Sequence, residues 1–227
     1  PRQAEAVIVC PEKRQSEINT KIAVISSEIK HEFLETDPMI LVEAKKTTLV
    51  EKELAMTKDS ADKVITALLC LPGGIQKMSF QMKGLVKTSL NLGIMKTEKD
   101  HVSLSFSVRS SVESEKRALL DQMACLTKTL GGTVTTNGDY PAWEYRAESD
   151  IREGISAVYE ELFHEEPGFE AIHAGLECGI LSGKIADLDC VSFGPNNFDI
   201  HTPKERLSIS STEKVWKLIV EFLKRSK

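Results

Sequence analysis

Residues 86–109 constrain the fold of this chain more than any other stretch. Val86, Thr88, Leu90, Leu92 and Ile94 alternate with Lys87, Ser89, Asn91 and Gly93, and after the polar residues 97–100 Val102, Leu104, Phe106 and Val108 alternate with Ser103, Ser105, Ser107 and Arg109. Successive side chains of a strand point to opposite faces, so two such runs joined by a short polar segment predict a β-hairpin with one apolar and one polar face. Matching the apolar faces admits two registers, with Arg109 opposite Ser89 or opposite Lys87.

Helical periods flank the hairpin. Ile18, Ile22, Ile25, Ile29 and Phe33 recur at spacings of four, three, four and four, which predicts a helix with its apolar stripe on a core, stopping before Asp37-Pro38. A second helix is expected over 60–71, with Val64, Ile65, Leu68 and Leu69 turned inward and Pro72-Gly73-Gly74 ending it. A third carries Leu119, Met123, Leu126 and Leu130, and Gly131-Gly132 follows where a left-handed cap is wanted. Apolar runs at 4–10 (AEAVIVC), 39–44 and 133–137 read as short strands. The order predicts an α+β domain over 1–138, an antiparallel sheet with helices on one face.

Beyond Tyr140-Pro141-Ala142-Trp143 the pattern changes. A helix over 151–163, a strand over 169–174, a glycine-bounded helix, a strand over 190–193 and a last helix predict part of an α/β unit over 139–227. In the last helix Ser210 and Glu213 fit a capping box, Val215, Leu218, Ile219 and Phe222 form the apolar stripe, and Lys224 and Arg225 sit at the negative end.

With 29 basic and 34 acidic residues the net charge is −5, which argues against a phosphate-binding surface and so against a nucleic-acid partner. The five cysteines are odd in number, scattered and never in a CxxC arrangement, as expected of reduced thiols in a cytoplasmic protein. No apolar run approaches the ~18–20 residues needed to cross a bilayer, so no membrane partner is expected. The chain opens on Pro1 and enters a strand-like run almost at once, which suggests a portion of something longer.

Three places could carry chemistry. His201 lies in Gly194-Pro195-Asn196-Asn197-Phe198-Asp199-Ile200-His201-Thr202-Pro203-Lys204-Glu205, where Pro203 is expected to force Thr202 into an extended conformation and present the imidazole on a stiff loop. On the residues alone it reads more readily as a surface-loop histidine, since one imidazole does not make a site that needs three or four ligands. His173 and Glu177 fall where a strand leads into a helix, a usual location for sites in α/β sheets, and Glu177 in a first helical turn also has a purely structural reading. Asn91 and Arg109 share the polar face of the hairpin, where a guanidinium and an amide could grip a carboxylate or simply meet water. His164-Glu165-Glu166 is better read as a charged helix end before Pro167, and His31-Glu32 lacks the second histidine of a zincin motif.

IHAGLECG at 172–179, SFGP followed by IHTP and Glu205, YPAW at 140–143, TSLNLG at 88–93 and the SVRSS that contains Arg109 together resemble, and follow one another along the chain in the same order as in, the aminoacyl-histidine (Xaa-His, carnosinase-like) dipeptidases of the di-zinc M20 metallopeptidases. The resemblance implies a ferredoxin-like lid over 1–138, followed by the closing segment of an α/β zinc-peptidase catalytic domain over 139–227. It implies an enzyme that uses two zinc ions to hydrolyse dipeptides such as carnosine, with a homodimer formed through the lid. His201 matches the family's last metal-ligand histidine, Asn91 and Arg109 match lid residues that hold the substrate carboxylate, and Glu177 matches the acidic position beside the metal, a substrate-amine or supporting role. The family's other zinc ligands and its general base belong to an N-terminal half whose segments do not occur here, so this chain alone is expected to be inactive and to need that half as its partner. Another M20 activity (tripeptidase, deacylase or carboxypeptidase) and a detached dimerisation module are the alternatives.

Overall fold

Leu90 pairs with Val108 and Leu92 with Phe106 across two antiparallel strands, and this shared apolar face organises the larger part of the molecule. The computed structural model describes residues 3–47, 55–170 and 176–226. By its contacts the chain separates into two units, Pro1–Ile65 and Thr66–Lys227.

The first unit holds a 3-10 turn (Glu12–Arg14), helix α1 (Gln15–Glu32) and the start of α2 (Lys58–Cys70). The period of Ile18, Ile22, Ile25 and Ile29 does form α1, but none of its residues is buried, contrary to expectation. A stripe needs an opposing surface, and this unit offers irregular chain and one helix start. Residues 4–10 and 39–44, expected as strands, form no ladder among the described residues, because a strand is defined by a partner as much as by its own branched side chains.

In the second unit β1 (Gly74–Met78), β2 (Val86–Thr97) and β3 (Val102–Ser110) form an antiparallel sheet in the order β1-β2-β3. Helix α3 (Glu113–Thr129) covers its apolar face, where Leu90, Leu119 and Met123 are buried with Leu71, Phe106 and Val108 against them. Each such leucine contributes roughly 1.5–3 kcal/mol by leaving water. Of the apolar residues expected inward on α2, Ile65, Leu68 and Leu69 are exposed, so the inward face predicted for that helix does not form. The sheet with a helix on one face is as predicted; β1 was not, and 133–137 stays unpaired.

The ladder breaks its period once. Leu92 pairs with Phe106 but Ile94 with Ser105, so Gly93 is the extra residue of a β-bulge. Beyond it Met95 rather than Ile94 continues the apolar face, opposite Leu104, and Ile94 is left 54% exposed on the serine side.

Helix α3 ends as its glycines predict. Gly131 is left-handed (φ 81°), its N–H donates to the Lys128 carbonyl at 2.9 Å, and the Gly132 N–H donates to the Thr127 carbonyl at 2.8 Å, a Schellman closure. At the other end Lys116 is buried, and its ammonium donates to Asp139 Oδ1 (2.7 Å), the Tyr140 carbonyl (2.8 Å) and Glu113 Oε2 (3.0 Å). Burial works against the charge, but the hydrogen bonds to Asp139 and Glu113 prevail and hold the Lys116 ammonium above its ordinary pKa. This one side chain fastens the chain after α3 to the helix.

Helices α4 (Asp150–Phe163) and α6 (Ile209–Arg225) pack through Val158 and Leu218, both buried, with Phe222 so close to Gly154 that an added Cβ would lie 3.1 Å from its ring. Arg225 and Glu161 pair at 2.8 Å across the two helices. The stripe of Val215, Leu218, Ile219 and Phe222 is the less exposed side of α6, as predicted. Its cap is not: Ser208, rather than Ser210 with Glu213, accepts from the Ser211 N–H, and Glu213 pairs with Lys217 at 2.7 Å instead. Helix α5 (Glu177–Ser182) is short, and β4 (Asn197–Phe198) and β5 (Arg206–Leu207) form a small hairpin. The expected strand at 190–193 is unpaired, and that at 169–174 falls mostly outside the described residues.

Candidate functional site

Of the two registers open to the hairpin, the structure adopts the one that pairs Ser89 with Arg109 and Asn91 with Ser107. Asn91 and Arg109 are therefore diagonal neighbours on the face away from α3, both exposed, about 7–8 Å apart at the backbone and within reach of a shared ligand. Ser89, Ser105 and Ser107 share that face and are small. A guanidinium and a carboxamide over a floor of hydroxyls suit a carboxylate, which takes two parallel bonds from arginine.

His201 sits at the tip between β4 and β5, exposed, with φ 66°; Asp199, two residues earlier, is also left-handed at φ 53°. Outside glycine that conformation costs roughly 1–2 kcal/mol per residue. Local hydrogen bonds offset it. The Thr202 hydroxyl donates to the Asp199 carbonyl at 2.7 Å, the Glu205 N–H donates to the Thr202 carbonyl at 3.1 Å, and Glu205 accepts from Asn197 Nδ2 at 2.8 Å and from the His201 N–H at 3.2 Å. Those two donors hold the Glu205 carboxyl below its usual range, the Asn197 amide first. The stiffness expected of Pro203 is thus supplied in good part by Glu205, which the sequence marked as part of the motif without showing its role. A carboxylate four residues after the histidine was the available signal.

Glu177 opens α5 and is exposed in its first turn. His173 lies outside the described residues. His164, set aside on sequence, takes the left-handed residue that ends α4 (φ 55°). A further carboxylate that sequence reading missed is Asp189: it accepts from the Ser149 hydroxyl at 2.7 Å and from the Ile151 N–H at 3.1 Å, while Ser149 caps α4 by accepting from the Arg152 N–H. Burial would raise the Asp189 carboxyl, but these donors outweigh it and leave the pKa lowered.

Among the described residues no group of three or more His, Cys, Asp and Glu is placed to hold a metal ion. These side chains do not fit a zinc ion by themselves; His201 offers one nitrogen. An open hollow of about 330 Å³ on α4, lined by Arg152, Glu153, Ser156, Ala157, Glu160 and Phe169, contains none of the predicted site residues. The hairpin face and the His201 loop carry better-defined chemistry than that hollow.

No family model matches the chain. It is 29% identical over 224 residues to the cytosol non-specific dipeptidase of Escherichia coli K12, a match that takes in 99% of this chain and 46% of that protein. It superposes on the crystal structure of aminoacylhistidine dipeptidase from Vibrio alginolyticus with a TM-score of 0.86 and 26% identity, over 95% of this chain and 44% of that one. Aminopeptidase PepT from Bacillus cereus shares the fold more distantly, with a TM-score of 0.58 and 20% identity over 71% of this chain and 44% of its own. The chain spans somewhat under half the length of the relatives it matches. Over the part it spans, the chain is a homologue of the cytosol non-specific dipeptidase and has the fold seen in aminoacylhistidine dipeptidase.

Proposed function

We propose that this chain is the portion of an M20-type zinc dipeptidase that supplies the substrate-gripping lid, over 1–138, and the closing segment of the catalytic domain, over 139–227. The β2–β3 register carries the reading, because it sets Asn91 beside Arg109 on an open polar face. There Arg109 takes the terminal carboxylate of an aminoacyl-histidine dipeptide in a two-pronged grip and Asn91 donates its amide to the same group. Glu177 accepts from the substrate's free amine.

His201, held in a left-handed conformation by its own loop, offers one ligand to the metal centre. Bound zinc would supply a hydroxide at neutral pH and polarise the peptide carbonyl. The remaining ligands and the base come from a further part of the enzyme, so the chain alone is inactive. The branched runs at 4–10, 39–44 and 190–193 are strands for that part to pair. The reading includes a homodimer through the lid and a cytoplasmic location. It is supported by the likeness to the two dipeptidases, and no helix of the described residues is long and apolar enough to cross a membrane.

The test uses the full-length enzyme that contains this chain, with carnosine and its C-terminal amide as paired substrates. Arg109→Ala should lower kcat/KM for the acid by about 10- to 100-fold, the worth of charged hydrogen bonds, and leave the amide nearly unchanged. An equal loss on both substrates would remove Arg109 from the carboxylate and the reading with it.

A further inference from the structure

Cys178 and Cys190 are both partly buried, and neither is in a disulfide. They stand together: the Cys190 thiol donates to the Cys178 carbonyl across 4.0 Å. Their surroundings are fixed. Helix α5 rests so closely on the preceding chain that a Cβ on Gly179 would lie 2.9 Å from the Pro141 carbonyl oxygen and 3.3 Å from Trp143 Cβ, and one on Gly183 would lie 2.8 Å from the Pro141 ring. The Ser182 hydroxyl donates to the Cys178 carbonyl at 2.7 Å. On the other side Asp189, next to Cys190, is tied to the start of α4.

We propose that Cys178 and Cys190 are an oxidisable pair that closes to an intrachain disulfide when the protein meets a hydroperoxide. Burial pushes the Cys190 thiol up to about 11, so it stays protonated at neutral pH, and the proposed reaction starts at Cys178. The Cys178 thiol gives its proton to solvent and the thiolate attacks the hydroperoxide; the O–O bond breaks, the departing alkoxide takes a proton back from solvent and leaves as alcohol, and Cys178 becomes a sulfenic acid. Cys190 sulfur then attacks that sulfur, the S–O bond breaks, and the departing hydroxide takes the Cys190 proton and leaves as water. Two thiols are oxidised to one disulfide while the hydroperoxide is reduced to alcohol and water. The bond would join the helix that begins at Glu177 to the segment whose Asp189 anchors α4, a covalent tie across two elements that hydrogen bonds now hold.

The experiment treats the chain with hydrogen peroxide and digests it with trypsin without reductant. Peptides 153–184 and 185–204 carry one cysteine each, Cys178 and Cys190. Joined peptides lighter by about 2 Da than their sum, a fall from five titratable thiols to three, and recovery with dithiothreitol are expected. C178S and C190S should each abolish the link and C125S should leave it, with circular dichroism confirming that each variant is folded. Linkage at another pair, or sulfinic acid at Cys178 with Cys190 free, would overturn the proposal.

Discussion

Arg109 faces Ser89 across the β2–β3 ladder, with Asn91 as its diagonal neighbour opposite Ser107. If the two side chains grip one carboxylate, a second negative charge beside it should be resisted. In the full-length enzyme, Asn91→Asp is expected to raise KM for dipeptides with a free C-terminus by about tenfold or more, the scale of one charged hydrogen bond lost, with a smaller change in kcat. Steady-state kinetics on carnosine check it, and an unchanged KM would separate Asn91 from the grip.

Lys116→Met should cost about 1–3 kcal/mol in urea unfolding at pH 7, since it leaves Asp139 and the Tyr140 carbonyl without their donor. The ammonium's pKa is raised in the folded protein, so its contribution is complete below the unfolded value of about 10.4 and is lost as pH climbs through the higher folded value. The gap between wild type and variant should therefore narrow on the alkaline side.

Ser149→Ala removes both the cap of α4 and a donor to Asp189, and is expected to destabilise the chain by ~0.5–2 kcal/mol. Asp189→Asn tests the charge. The carboxyl's pKa is lowered by folding, so its contribution is present above the unfolded value near 3.9 and lost as pH falls through the lower folded value. Denaturation curves from pH 7 down to pH 3 should show the wild-type advantage disappearing at the acid end.

Gly179→Ala sets two effects against each other. Alanine favours a helix over glycine by about 1 kcal/mol, whereas overpacking costs ~1–3 kcal/mol. The nearest obstacle is backbone, the Pro141 carbonyl oxygen at 2.9 Å, which yields less readily than a side-chain tip, so a net loss of stability is expected. Trp143 lies at the same contact, and its fluorescence in a Trp216→Phe background should report the displacement.

The hairpin, α3 and its left-handed glycine were legible because their signals are local and periodic. What the sequence left open followed from non-local facts. β1 has all five residues exposed and begins on the second residue of a glycine pair that reads as a helix stop, so no apolar alternation marks it. The branched runs at 4–10, 39–44 and 190–193 have strand composition, but a ladder depends on a partner that their own residues do not specify. Serines at 208, 210 and 211 can all cap α6 chemically; Ser208 is chosen because its N–H is held by the Asn196 carbonyl at 3.0 Å, a contact from across the small hairpin. Among candidate site residues, the face shared by Asn91 and Arg109 could be read from alternation, whereas the bracing of His201 by Glu205 depends on a loop closing back on itself.

The extra residue at Gly93 makes the arm formed by β2 and β3 a ribbon with a half-turn in its chemistry. Toward its root one side is oily and the other hydroxylic, while toward its tip Ile94 intrudes on the hydroxylic side. Removing that single glycine would leave a regular ladder in which Leu92 still pairs with Phe106 and Ile94 with Ser105, so residues 94–97 keep their faces and the Asn91 and Arg109 end stays in place. The bulge thus sets the chemistry of the tip apart from that of the end that carries Asn91 and Arg109.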